Sequence, residues 1–304
     1  ILGPQANIWT EYIPDSKQVE YMLLPRLAAL CEVQWTQPEK KDYASFIARL
    51  PHMIQLYDLY KLNYATHVFD IQANLTPRPE KGSLEASFKT IDNAPVYYTL
   101  DGSEPTTKSS LYSGPVSLNQ NGTIKAKAFR TNGKDSRTFT QTINLGKASL
   151  KPIKLLTKPA RNYGYTGASL LNDGLSGKGT NYKTGRWIGF SGDNLEAVID
   201  LLKTTEISRA SIKNCVVTGD WILDAQAFTV EVSSDGENFT YAAGLETNPS
   251  DKTEHWKGIV THTVTFRPVT ARYVKVTVKP FTAFPAWHGG DGKPYIFVDE
   301  ISVD

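Results

Sequence analysis

Trp9-Thr10-Glu11-Tyr12 sets an indole and a carboxylate two residues apart. On an extended segment, side chains spaced by two share a face. An aromatic wall beside a carboxylate that accepts hydroxyl hydrogen bonds is a way to grip a sugar ring, whose apolar face suits an aromatic platform. The same spacing suits a buried Trp beside a helix-capping Glu, and spacing alone leaves both readings open.

Hydrolysis of a glycosidic bond wants two carboxyl groups across a cleft. The sequence holds one adjacent Asp-Glu pair, Asp299-Glu300. Successive side chains on a strand point to opposite faces, so this pair does not converge on one substrate. It reads as a closing strand carrying a metal-ligand or surface carboxylate. Gly174-Leu175-Ser176-Gly177-Lys178-Gly179-Thr180 fails as a phosphate loop, because Asn172 and Gly179 stand where the motif needs Gly and Ser or Thr; it reads as a mobile loop. The five histidines, His52, His67, His255, His262 and His288, show no zinc-ligand spacing. His262 falls on the Val260, Val264 and Phe266 face and reads as a satisfied core or rim histidine. Cys31 and Cys215 read as two lone buried thiols.

The elements that position these residues divide along the chain. With 304 residues, 40% hydrophobic and 21% charged, the composition describes a folded chain of more than one domain. Thirty-three basic against 31 acidic side chains, a net +2 without clusters, offer no field for nucleic acid. No apolar run reaches the roughly 18 residues of a membrane helix, so no membrane span is expected. The first 70 or so residues read as helix. Asp15 and Gln18 form a capping pair, Val19, Leu23, Leu27 and Leu30 make one stripe, and Tyr43, Phe46, Ile47 and Leu50 make a second. Pro25 breaks the first stripe. Gln5–Trp9 reads as a short buried strand.

Near Pro77 the period changes to alternation. Val96, Tyr98 and Leu100 lead to the Asp101-Gly102 turn; Ile124, Ala126 and Ala128 lead to Asn132-Gly133; a strand follows near 138–143. About 75 residues of this pattern suit an immunoglobulin-like β-sandwich. After Lys147 the strand candidates are 197–201, 210–213, 228–233, 260–266, 272–278 and 296–298, which suit a jelly-roll sandwich.

Gln5-Ala6-Asn7-Ile8-Trp9-Thr10-Glu11-Tyr12, with Glu20-Tyr21-Met22-Leu23-Leu24-Pro25-Arg26-Leu27 and Glu32-Val33-Gln34-Trp35, resembles the C-terminal end of the catalytic (β/α)8 barrel of family 20 glycoside hydrolases, the β-N-acetylhexosaminidases. Tyr97-Tyr98-Thr99-Leu100-Asp101-Gly102-Ser103-Glu104-Pro105 resembles the chitobiase/hexosaminidase C-terminal β-sandwich. Leu171-Asn172-Asp173-Gly174, Trp187-Ile188-Gly189-Phe190, Val232-Ser233-Ser234-Asp235-Gly236 and Phe297-Val298-Asp299-Glu300-Ile301 resemble an F5/8 type C (discoidin-like) domain. The resemblance implies a multidomain chain: a mostly helical barrel remnant over 1–72, a small sandwich over 73–147 and a discoidin-like domain over 152–304.

It also implies a parent enzyme that hydrolyses terminal non-reducing N-acetylhexosamine by substrate-assisted retaining catalysis, in the periplasm or outside the cell. Such enzymes use an Asp-Glu pair from an earlier barrel strand, and only eight residues precede Trp9. The expectation is a C-terminal portion, inactive alone, whose partners are the N-terminal barrel of the same protein and N-acetylhexosamine-containing glycans. Trp9 and Glu11 would line the sugar pocket; no catalytic residue and no catalytic cofactor is expected here. Asp173 and Glu300 match the places of a structural Ca²⁺ site in discoidin-like domains. Trp256, Trp287 and His288, in apparent loops, are candidates for glycan binding. The alternative is a non-catalytic carbohydrate-binding or docking module.

Overall fold

The structure, a computed structural model, describes residues 3, 5–131, 133–177, 179–248 and 252–304. Ile1, Leu2, Pro4, Lys178 and the Asn132 half of the Asn132-Gly133 turn lie outside them. Two compact units are formed, one from Ile1–Asn74, Ser87–Pro115 and Lys125–Thr140, the other from Leu75–Ala86, Val116–Ile124 and Gln141–Asp304.

The first unit opens with three helices, α1 (Ser16–Leu23), α2 (Arg26–Trp35) and α3 (Tyr43–Leu59). Asp15 caps α1 by accepting the Gln18 N–H at 2.8 Å, and Asp42 caps α3 through the N–H groups of Ala44 and Ser45. Pro25, with no N–H to give, stands at the α1–α2 break. One face of α3 (Leu50, Ile54, Tyr57) packs with Tyr64 and Phe69, and Phe46 and Ile47 lean on that core. The stripe on α1 and α2 is only half-buried, and Leu27, Trp35 and Met53 remain exposed around an apolar cleft between α2 and α3. Gln5–Trp9 is neither paired nor buried, contrary to the strand expected there; the chain turns at Thr10–Tyr12 in a 3₁₀ turn closed by Ile13 N–H on Thr10 O. Arg130 staples this unit. Its side chain, 5% exposed, grips both Asp92 oxygens at 2.7 Å and donates to the carbonyls of Phe69 and Lys134, its guanidinium 5.0 Å from the Phe69 ring centre.

The middle of the chain supplies seven strands: β1 (Gln72–Arg78), β2 (Ser83–Lys89), β3 (Val96–Thr99), β4 (Ser110–Leu111), β5 (Val116–Leu118), β6 (Gly122–Ala128) and β7 (Phe139–Ile143). They form a three-stranded sheet, β1-β2-β5, and a four-stranded sheet, β4-β3-β6-β7. The alternation in β6 is realised, with Ile124, Ala126 and Ala128 buried between exposed or half-buried neighbours.

In the second unit, β8 (Ile153–Leu155), β9 (Ile188–Ser191), β10 (Leu195–Val217), β11 (Ala225–Ser233), β12 (Thr240–Glu246), β13 (Lys257–Pro280) and β14 (Tyr295–Val303) join in the order β12-β11-β13-β10-β14-β9, with β8 on β10. A straight strand of 23 residues would run about 75 Å. Yet Ala197 and Ile199 from one end of β10, and Ala210 and Ile212 from the other, share one core with β11, β13 and β14. The strand therefore folds over, and the β10–β13 register shifts between Asp200 and Thr205 where it does so. There Leu202 takes φ +67°, and Arg272 on β13 clasps Asp200 on β10 through two bonds of 2.8 Å. Pairs of strands separated in the sequence reading, 197–201 with 210–213 and 260–266 with 272–278, are single strands bent in this way.

The Arg130 fork holds the Asp92 carboxyl below its usual range. A carboxylate lowered in the folded state contributes stability above its unfolded value and loses it as pH falls through the folded one. Asp92→Asn should therefore lower the melting temperature most at neutral pH, the gap to wild type closing below about pH 4. Arg130→Met, which strands Asp92 and two carbonyls, should cost about 2 kcal/mol in denaturant titration.

Candidate functional site

Strand β14 brings the adjacent carboxylates inside the second unit. Asp299 is 0% and Glu300 4% exposed, so neither is the surface carboxylate expected of a closing strand. Each reaches its own part of the 173–177 segment: Asp299 accepts the Gly177 N–H, and Glu300 Oε1 accepts the Gly174 N–H at 3.2 Å. Asp173, also buried, accepts the Leu175 N–H at 2.9 Å. The segment read as a mobile loop is thus pinned at three amides by three buried carboxylates. Gly177 is needed for close approach, since a Cβ there would lie 2.6 Å from the Trp187 ring, which is itself wholly buried.

The cation among these carboxylates is Arg186. It donates to Asp173 Oδ2 at 2.9 Å and Oδ1 at 2.7 Å, and also to the Leu175 carbonyl. Lys213 Nζ donates to Ser176 Oγ at 2.6 Å nearby. Burial pushes the Asp299 carboxyl up to about 7, and burial with the neighbouring charges of Asp173 and Asp299 holds Glu300 well above the usual range. Burial raises Asp173 too, against the pull of Arg186. Asp299 Oδ1 and Glu300 Oε2 have no hydrogen-bond partner.

Asp173 and Glu300, the residues matching a Ca²⁺ site, do meet in one buried cluster. Both Asp173 oxygens are already committed to a guanidinium, however. Among the described residues no three His, Cys, Asp or Glu side chains gather as a metal set. Calcium takes roughly six to eight oxygen ligands, and the residues present do not fit it.

Trp9 is 79% exposed and Glu11 is exposed in the 3₁₀ turn. A turn of about three residues does not give positions two apart the common face that a strand would, so these two are not brought together as read. Cys31 is exposed on α2, not buried as expected, while Cys215 lies in the core, its thiol pushed up to about 12 by burial. His262 pairs with buried Asp224 at 2.6 Å.

The loop aromatics of the second unit form a packed face. Thr218, buried at the end of β10, has its hydroxyl 2.6–3.0 Å from the carbonyls of Thr253, Glu254 and Trp256, which fixes the Trp256 loop. The Trp256 ring folds over Gly258, where a Cβ would lie 2.6 Å away, with the Lys252 ammonium 5.1 Å from its centre. His288 stacks on Phe284 at 4.2 Å and 14°, and Trp287 tilts against it at 5.7 Å. The Gly290 N–H donates to His288 Nδ1, so the ring proton sits on Nε2, which donates to Thr218 O at 2.8 Å. Neither nitrogen of His288 is left for a sugar hydroxyl. The exposed ring of this face is one the sequence reading did not single out: Trp221, 42% exposed, edge-on to Phe284 at 5.4 Å and held at φ +67°. The Gly219-Asp220 turn just before it was the available signal.

Residues 156–296 match the F5/8 type C domain family, residues 87–143 a family described as Fn3 associated, and residues 1–38 the Glycosyl hydrolase family 20, catalytic domain. The second unit thus contains a discoidin-like sandwich. Along the chain the family 20 match comes first, the Fn3 associated match second and the F5/8 type C match last. A beta-hexosaminidase of Porphyromonas gingivalis (strain ATCC BAA-308 / W83) is 35% identical over 147 residues, covering 45% of this chain and 18% of the relative. A beta-N-acetylhexosaminidase of Cellulomonas fimi is 40% identical over 58 residues, covering 19% of this chain and 12% of the relative. The chain therefore spans less than a fifth of the length of these curated relatives. A solved chitosan-binding module 1 from the chitosanase/glucanase of Paenibacillus sp. IK-5 is 19% identical, covering 52% of this chain and 98% of that one, with a TM-score of 0.33.

Gly177→Ala would force a methyl into the Trp187 ring. Overpacking of this kind costs about 1–3 kcal/mol, and urea titration should show a loss of that size for the second unit. An unchanged midpoint would place the ring elsewhere.

Proposed function

We propose that this chain is the C-terminal portion of a β-N-acetylhexosaminidase, an enzyme that releases terminal non-reducing N-acetylhexosamine. The observation that carries this reading is the family 20 match over residues 1–38, joined to two hexosaminidase relatives. In the parent, an Asp-Glu pair outside this chain would act: the Glu protonates the leaving oxygen, and the Asp orients the acetamido group whose oxygen attacks the anomeric carbon. Trp9 would wall the sugar pocket and Glu11 would accept hydrogen bonds from its outer hydroxyls. Both are exposed, so they are free to meet a sugar and the rest of a barrel. The apolar cleft of α2 and α3, with Leu27, Trp35 and Met53 in water, suits cover by that barrel. Periplasmic or extracellular placement goes with the same reading. No helix among the described residues is long and apolar enough to cross a membrane.

The one adjacent Asp-Glu pair of this chain is shut inside a sandwich and cannot serve as the dyad. The chain alone should therefore release no chromophore from a chromogenic N-acetylglucosaminide. Turnover approaching that of a whole hexosaminidase would overturn the proposal.

A second role, holding glycan, is favoured by the exposed Trp221 beside Phe284. In calorimetric titration of the full chain with N-acetylhexosamine oligosaccharides, Trp221→Ala should weaken binding by about three- to tenfold, the worth of one aromatic stacking contact. Trp256→Ala, in a ring already packed on Gly258, should change it less. A flat wild-type titration would leave docking as the role of this face.

A further inference from the structure

We propose that the Arg186 guanidinium, clasping Asp173 beside the buried Asp299 and Glu300, is the resident cation of the discoidin-like sandwich in place of a divalent metal. Three observations carry this. The oxygens nearest the guanidinium, both of the Asp173 carboxylate and the Leu175 carbonyl, are the donor types a hard cation would take, and all three accept N–H bonds from Arg186. The planar fork matches the carboxylate edge in two parallel bonds, a geometry Lys cannot reproduce. The arm is also anchored from behind, because the next residue, Trp187, is wholly buried among Cys215, Ile222 and Phe297. Lys213, held on Ser176, supplies a second positive charge at the Asp299 side. A divalent ion added here would meet a guanidinium already in its place, and like charges a few ångströms apart repel strongly where water is excluded.

The consequence is a sandwich whose stability does not depend on divalent metal. Thermal unfolding of the full chain should give the same transition temperature with excess chelator, with millimolar CaCl₂ and with neither, to within about 1 °C. A metal site filled well above its dissociation constant would instead shift the transition by several degrees. A fall on chelation, or a rise of that size with calcium, overturns the proposal. Arg186→Gln, which keeps hydrogen-bonding capacity but removes the charge, should unfold about 10 °C or more below wild type; an unchanged transition also overturns it. The double variant D173N/R186Q, which removes one charge of each sign, should recover at least half of that loss. A double variant as damaged as R186Q would show that Arg186 acts through shape alone, against the proposal.

Discussion

Three carboxylates are taken out of water in the C-terminal sandwich, and its loop geometry follows from how their charge is met. A buried carboxylate persists only if hydrogen bonds and opposite charge replace its hydration. Here an amide of the 173–177 segment donates to each carboxyl group and Arg186 supplies the opposite charge at Asp173, while burial raises Asp299 and Glu300 toward their neutral forms. That demand draws the segment onto β14, lays Gly177 against Trp187 and fixes where the chain enters β9. The first part of a stretch that reads as flexible by composition is held by its surroundings, and Gly174 and Gly177 there serve close approach instead of motion.

The aromatic face is built on the same logic with different groups. Thr218 acts as a hub: its hydroxyl addresses the carbonyls of the 253–256 segment, and its own carbonyl receives His288. Two loops distant in sequence are thereby tied to the end of β10. What remains free is an indole, Trp221, pushed outward by a left-handed backbone that few non-glycine residues adopt. Such conformations persist where the surroundings over-determine them, and here Phe284 and the strands flanking the turn do so. The face offers a ring to stack on, and both nitrogens of its His288 are already engaged.

Much of this was legible in the sequence, and the failures have physical causes. The helices near the start, the Asp15 cap, the alternation of β6 and the all-β character after Lys147 are local properties, and they stand in the structure, although Leu27 and Tyr43 of the two stripes are exposed. The motif resemblances found the discoidin-like domain because its loop signatures are specific. Asp299 and Glu300 were misplaced because local spacing says that they diverge but not that both sides of β14 are buried. Arg186 escaped notice for a related reason: its partner is 13 residues away, and the pairing exists only once the loop has closed. The spacing of Trp9 and Glu11 implies a strand's geometry, and a strand needs a neighbour to hydrogen-bond with. Trp256 and Trp287 stand out in the sequence because they lie in apparent loops, yet lying in a loop is no measure of exposure when a hub such as Thr218 gathers the loops together, and Trp221 is the more exposed ring.

The bent strands β10 and β13 have a further meaning. They pair along most of their lengths, before and after the corner clasped by Asp200 and Arg272. A sandwich made of separate strands can loosen one layer while the other stays intact. Here the layers share their two longest strands, so neither can melt without taking the other's hydrogen-bond ladder with it. The domain is thereby a single cooperative unit, and a local disturbance, whether at a buried carboxylate or at the aromatic loops, is felt as a change in the stability of the whole.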